Sequence, residues 1–217
     1  MRSLSRINEA PRLLERLKRK NVAWKLIGEA NKNEISQAIL VFQGQYCAYC
    51  EASLINNKHI EHFAKRSEFP KKIYEWDNLF LSCESKVHCG HFKDNINLSK
   101  YASVYDYRSL IKPDVDNPSD FLFFSISGEV LPKKGIDKGL QDKAELTINV
   151  FNLNEEGLKN IRSGILSSNK EIVKYIYSLD DDLETAKLLE EYKQYYSKQP
   201  YSTALLDLLL NTPEARV

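Results

Sequence analysis

Apolar residues recur at helical spacing near both ends of the chain, and between them lie short apolar runs crowded with Cys, His and aromatic residues. Pro11 followed by Leu13, Leu14 and Leu17 predicts an amphipathic helix over 11–20. Ile35, Ala38, Ile39 and Phe42 share one face of a second helix, over 33–43. Strand-like pieces follow at 58–63 and 78–83, and residues 121–130 read as a hairpin turning near Ser127-Gly128. From Asp142 onward the pattern is mostly helical, with Asn154 as an N-cap and apolar faces along 158–165, 171–178, 183–196 and 202–210. The expected class is α+β. A core at about 44–105 would be embedded between an N-terminal helical region (1–43) and a C-terminal region of hairpin and helices (106–217), all one compact unit.

Composition narrows the function classes. A chain of 217 residues can bury a core without disulfide staples. No apolar run approaches the roughly 18–20 residues of a membrane span, and no apolar segment follows the basic start, so neither a span nor a signal peptide is expected. The expected compartment is the cytoplasm, where thiols stay reduced. The net charge of +1 decides nothing about nucleic acid, but its distribution is uneven. Residues 1–25 are rich in Arg and Lys, a second basic run comprises Lys58, Lys65, Arg66, Lys71 and Lys72, and acid collects at Asp180-Asp181-Asp182. Such polarity could make one face attractive to phosphate; the alternative is that these Lys and Arg residues merely solvate amphipathic helices.

All four cysteines and all four histidines fall between Cys47 and His91. Cys47-x2-Cys50 has the spacing that puts two thiolates on one ion, and Cys83-x5-Cys89 supplies a longer-spaced second pair. Together they point to a closed structural zinc site, with His88 able to replace a cysteine. Disulfides conflict with the expected compartment, and a thioredoxin-like motif lacks its βαβ context. Between the pairs lies His59-Ile60-Glu61-His62-Phe63. Neighbours on a strand face opposite ways, so Glu61 and His62 can serve together only where the strand ends or bends. A carboxylate can hold a hard cation while a neutral imidazole takes a proton from water, which is the minimum apparatus for phosphodiester hydrolysis.

Cys47-x2-Cys50, Glu61-His62-Phe63, Trp76-Asp77-Asn78-Leu79, Cys83 and Cys89-Gly90-His91-Phe92-Lys93 together resemble the signature of the HNH (ββα-metal) endonucleases. The resemblance implies a small two-strand-and-helix core around one catalytic cation, Mg²⁺ or Mn²⁺. It implies His62 as general base, Glu61 as metal ligand and Asn78 as the residue that ties the loop and orients the base. The family carries His or Asn directly after the last cysteine. Here that position is Gly90, so the second ligand role passes to His91, with Asp94 in reserve; His59 has no counterpart. Lys65, Arg66 and Lys93 are the candidate nucleic-acid contacts.

A longer resemblance, through Trp24, Gln45–Glu51, Ser67, Pro70, Gly128-x-Val130, Thr147-Ile148, Leu153-Asn154, Leu158 and Arg162, is to the HNH subunit of bacterial Septu and retron-associated anti-phage systems. It implies an ABC-type (PtuA-like) ATPase partner and, for the retron-associated relatives, a reverse transcriptase with its RNA and cDNA. Two other classes compete. A non-cleaving zinc-knuckle adaptor would need the cysteines and basic patches but neither Glu61 nor His62. A zinc deaminase would match His59-x-Glu61, but its Cys pair should follow that motif, and here it precedes. The apolar stretch 171–210 is expected to dock a partner protein, which by the resemblance is the ATPase subunit; packing against the hairpin at 121–130 is the alternative.

Overall fold

The computed structural model describes residues 1–95 and 105–211; part of the segment 44–105 therefore lies outside the described residues. Pro11 precedes helix α1 (Arg12–Arg19), which buries Leu13, Leu14 and Leu17 and leaves its Arg and Lys side chains in solvent. Helix α2 (Glu29–Gln43) starts four residues before the expected start at 33. Gly28, extended, supplies the carbonyl that Asn31 and Lys32 bond, and Glu29 suits the positive end of the helix, so the polar first turn forms without an apolar signal. At the far end, the Gln43 amide donates to the carbonyls of Tyr46 and Leu81 at 2.7 Å and accepts from the Leu81 N–H at 2.9 Å.

That amide covers one edge of a strand. Strands β1 (His59–His62) and β2 (Leu79–Ser82) are antiparallel, with His59 opposite Ser82 and His62 opposite Leu79. β2 is buried throughout, flanked by β1 on one side and by Gln43 and the Ala48 N–H on the other. The short helix α3 (Cys89–Asp94) follows, its first residue tied to the Phe151 carbonyl through the Cys89 N–H at 2.8 Å.

The second hairpin, β3 (Leu122–Phe124) and β4 (Val130–Pro132), turns through Gly128 at φ +79°. Helices α4 (Lys138–Val150), α5 (Glu156–Tyr177), α6 (Asp182–Ser197) and α7 (Ser202–Asn211) complete a mixed α+β chain of seven α-helices and two small antiparallel sheets among the described residues. Two expectations change here. Asn154 does not cap α5: its side chain pairs with the N–H and C=O of Val130, and the Glu155 carboxylate caps the helix through Leu158 N–H. The stretches 158–165 and 171–178 are one helix, because no Gly or Pro interrupts 166–170.

Helix α7 is built into the core. Leu205, Leu208 and Leu209 are buried, and Asp207 accepts the Phe124 N–H of β3 at 3.0 Å. Of the two occupants open to this segment, α7 takes the hairpin, which removes it from any docking face; Tyr175, Leu183 and Tyr195 remain exposed on α5 and α6. No helix among the described residues is long and apolar enough to cross a membrane.

Gly128 joins hairpin to helix. Arg162, buried in α5, donates to the carbonyls of Gly128 and Leu153 at 2.6 Å each. A Cβ on residue 128 would stand 2.1 Å from the Lys159 carbonyl oxygen, and the left-handed backbone penalises any side chain there. Gly128→Ala should therefore cost about 3 kcal/mol, combining backbone strain with overpacking. In urea, a lower midpoint at unchanged slope is the expected result.

Candidate metal centre and active site

Strand ends bring the cysteines together. Cys47 and Cys50 lie on a tight turn closed by Glu51 N–H to the Cys47 carbonyl, with Glu51 at φ +65°. Cys83 directly follows β2 and Cys89 starts α3. All four are buried, free of disulfides, with sulfurs within 4.8 Å of one another; Cys50 Sγ and Cys83 Sγ are 3.9 Å apart. Four sulfurs at 2.3 Å from one zinc ion would stand about 3.8 Å apart, so this donor set fits a tetrahedral ion. The Cys83 N–H donates to Cys47 Sγ at 3.5 Å, an orientation suited to a thiolate. Hydrogen bonds from Cys47, Cys50 and Cys89 push the Cys83 thiol far below its usual range, while Cys50 and Cys89 are pushed well up. Four thiolates cannot share a buried site without a cation. His88 Nδ1 lies 3.2 Å from Cys89 Sγ and 3.8 Å from Cys83 Sγ, at the rim of the cluster.

The segment between the strands is held by Asn78. Its Oδ1 accepts the Ala64 N–H at 2.7 Å, and its Nδ2 donates to the carbonyls of Lys72 and Ala64 at 3.0 and 3.2 Å. One residue on, the Ile73 carbonyl meets His62 Nε2 at 3.1 Å. The His62 ring is buried, with Trp24 edge-on at a centroid distance of 4.4 Å. Burial, aided by Arg66 and opposed by Glu61, holds His62 down to about 4, so the imidazole is neutral at pH 7. Asn78→Ala would take these partners from the buried N–H and carbonyl of Ala64 and should cost about 3 kcal/mol. Thermal unfolding measures this, and an unchanged midpoint would mean the loop is held by something else.

On the other face of β1, Glu61 is buried and its Oε1 lies 2.8 Å from Lys93 Nζ. Burial would raise the Glu61 carboxyl, but the Lys93 ammonium and His59 outweigh it and hold it down to about 2. Lys93, wholly buried, also donates to the His62 carbonyl at 2.9 Å and to Asp94 at 2.7 Å. A Cβ on Gly90 would come within 2.5 Å of Glu61 Oε2. Glu61 thus fills the space that a side chain directly after the last cysteine would take.

His59 Nε2 lies 3.4 Å from Glu61 Oε2, and its Nδ1 lies 3.4 Å from Glu84 Oε1. His91 Nε2 meets Glu84 Oε2 at 2.9 Å, and the two imidazole rings stack at 3.9 Å. Burial alone would lower His59, but Glu61 and then Glu84 outweigh it and raise it; the carboxylates favour a cation here, whether proton or metal.

Of the three basic residues expected to contact nucleic acid, Arg66 is exposed. Lys65 is buried, 3.5 Å from Glu68 and near the Tyr105 ring. Lys93 spends its charge on Glu61 and Asp94, which takes it off any substrate surface. Trp24, Ile73 and Glu84 carried no chemical signal in the sequence: a lone tryptophan, a backbone carbonyl and a glutamate between cysteines look ordinary until the fold assembles them.

Fold and site describe an α+β protein whose hairpin is pinned by a four-cysteine cluster that could hold a metal ion such as zinc. No family model matches the chain. It is similar to two proteins named Septu protein PtuB. One, from Bacillus thuringiensis, is 28% identical over 153 residues, covering 69% of this chain and 50% of that protein. The other, from Bacillus mycoides (strain KBAB4), is 29% identical over 191 residues, covering 76% of this chain and 61% of that protein. The chain thus spans about half to three-fifths of the length of these relatives.

Proposed function

We propose that this protein is a metal-dependent HNH nuclease acting as the cleaving subunit of a Septu-type anti-phage complex, beside an ABC-type ATPase. The observation that carries the reading is the end of β1, where His62, its last residue, and Glu61 can serve one site although they leave opposite faces of the strand. A neutral imidazole, His62, has one ring nitrogen fixed by the Ile73 carbonyl, while Glu61, His59, Glu84 and His91 gather on the opposite side. The similarity to the two PtuB proteins supports the anti-phage setting. In this reading Asn78 and Ile73 orient His62, and His62 accepts the proton of the attacking water through its free nitrogen. The Glu61–His91 side holds a divalent cation, which when bound would stabilise charge on the phosphate and leaving oxygen. The four cysteines hold a structural zinc and set the hairpin against α3. Arg66, exposed near the Trp24 ring, is the one of the three candidate phosphate contacts that stays at the surface.

One observation favours the non-cleaving adaptor: His62 is only 2% exposed, beneath Trp24, and Glu61 is already neutralised by Lys93. Incubation of the purified protein with DNA and RNA, with Mn²⁺ or Mg²⁺ and with EDTA, separates the two readings. Metal-dependent, EDTA-sensitive cleavage by the chain, alone or with its ATPase, is expected. Binding without cleavage under every condition would leave the adaptor.

A further inference from the structure

We infer that His59 Nδ1, Glu84 and His91 Nε2 form a divalent-cation site selective for transition metals over Mg²⁺, and that Glu61 is the carboxylate orienting His59 behind it. The inference rests on the nuclease reading for what the cation would do, but not for whether it binds. Its basis is the arrangement around one ring. Neither nitrogen of His59 makes a hydrogen bond, although both are shielded from solvent. Each instead faces a carboxylate oxygen at 3.4 Å, a misaligned approach on both sides of the imidazole. A metal on Nδ1 with the Nε2–H turned to Glu61 satisfies both, in the carboxylate–histidine–metal arrangement that fixes ring tautomer and orientation.

The remaining ligands are in place. Ligand atoms of His59, Glu84 and His91 lie within 4.8 Å of one another. Neighbouring ligands about 2.1 Å from one ion stand about 3.0–3.4 Å apart, so the triad needs only side-chain rotation to close. His91 and Glu84 are about one-third exposed, which permits that rotation and leaves coordination positions open to water or phosphate oxygen. Glu61 is poorly free to ligate directly, because Lys93 holds its Oε1 at 2.8 Å from a wholly buried position. Gly90 has no side chain to offer, and one at that position would meet Glu61, so the role falls to His91 one residue later. Two imidazoles and one carboxylate favour Mn²⁺, Co²⁺, Ni²⁺ or Zn²⁺, whereas Mg²⁺ prefers an all-oxygen shell.

The test is Mn²⁺ titration of the zinc-loaded protein, followed by the loss of the free-Mn²⁺ electron paramagnetic resonance signal. One Mn²⁺ per chain is expected, undisplaced by a tenfold excess of Mg²⁺. Glu84→Gln and His91→Ala, each checked for an unchanged unfolding midpoint and zinc content, should weaken binding at least tenfold. Glu61→Gln should weaken it about 10- to 100-fold through the orienting contact. Unchanged Mn²⁺ affinity in both Glu84→Gln and His91→Ala, or equal displacement by Mg²⁺, overturns the site. Mn²⁺ binding with these dependences but no cleavage of any nucleic acid would support the site and overturn the nuclease. Cleavage indifferent to Glu84 and His91 would do the reverse.

Discussion

Replacement of Cys47 by serine should give a chain that no longer folds stably. Structural thiolate sites contribute apparent folding free energy on the order of 10 kcal/mol, comparable to the whole net stability of a domain at about 5–15 kcal/mol. The cluster is also where the knuckle turn, the end of β2 and the start of α3 meet, so its loss frees three segments at once. The expected result is insoluble or protease-sensitive protein, with elemental analysis of the wild type giving one zinc per chain. Chelation under denaturing conditions should likewise prevent refolding until zinc is restored. Wild-type protein that is well folded and metal-free, with four titratable thiols, would remove the zinc assignment.

His62→Ala should abolish cleavage with zinc content and fold retained. Loss of a general base costs about 10²–10⁴-fold, and the upper end is expected where the base alone deprotonates the water. Cleavage equal to that of the wild type would move the active site elsewhere. The same residue predicts a pH dependence of stability. His62 is held down to about 4 in the folded protein, against about 6.5 unfolded, so the unfolded chain binds the extra proton in between. Stability should fall as pH drops from about 6.5 towards 4, by up to about 3 kcal/mol, and this contribution should level off below that. His62→Ala should remove this part of the acid sensitivity in urea titrations at a series of pH values.

The α+β class and most helices could be read from spacing alone, because Leu13, Leu14 and Leu17, or Ile35 and Ile39, must face one core wherever it lies. The strands at 59–62 and 79–82 could be read for the same reason. The sequence misleads where a polar side chain has a choice of partner. Asn154 is a good N-cap by type, yet Val130, distant in sequence, takes both its donor and its acceptor. The polar start of α2 carried no apolar period, and its helical state depends on Gly28 and the end of the helix.

The chemistry divides along the same line. The window from Cys47 to His91 determined which residue types were available, and the thiol pairs implied a cluster before any fold was known. Only the tertiary structure decided which charges are spent internally. Lys93 looks like a phosphate contact just after the last cysteine, but Glu61 and the His62 carbonyl draw it wholly inside. Glu84 looks like a surface acid between cysteines, but the register of β1 against β2 sets it beside His59 and His91. Sequence determines the local period and the set of functional groups. The pairing of buried charges depends on distances between segments up to tens of residues apart, and the folded chain alone sets those distances.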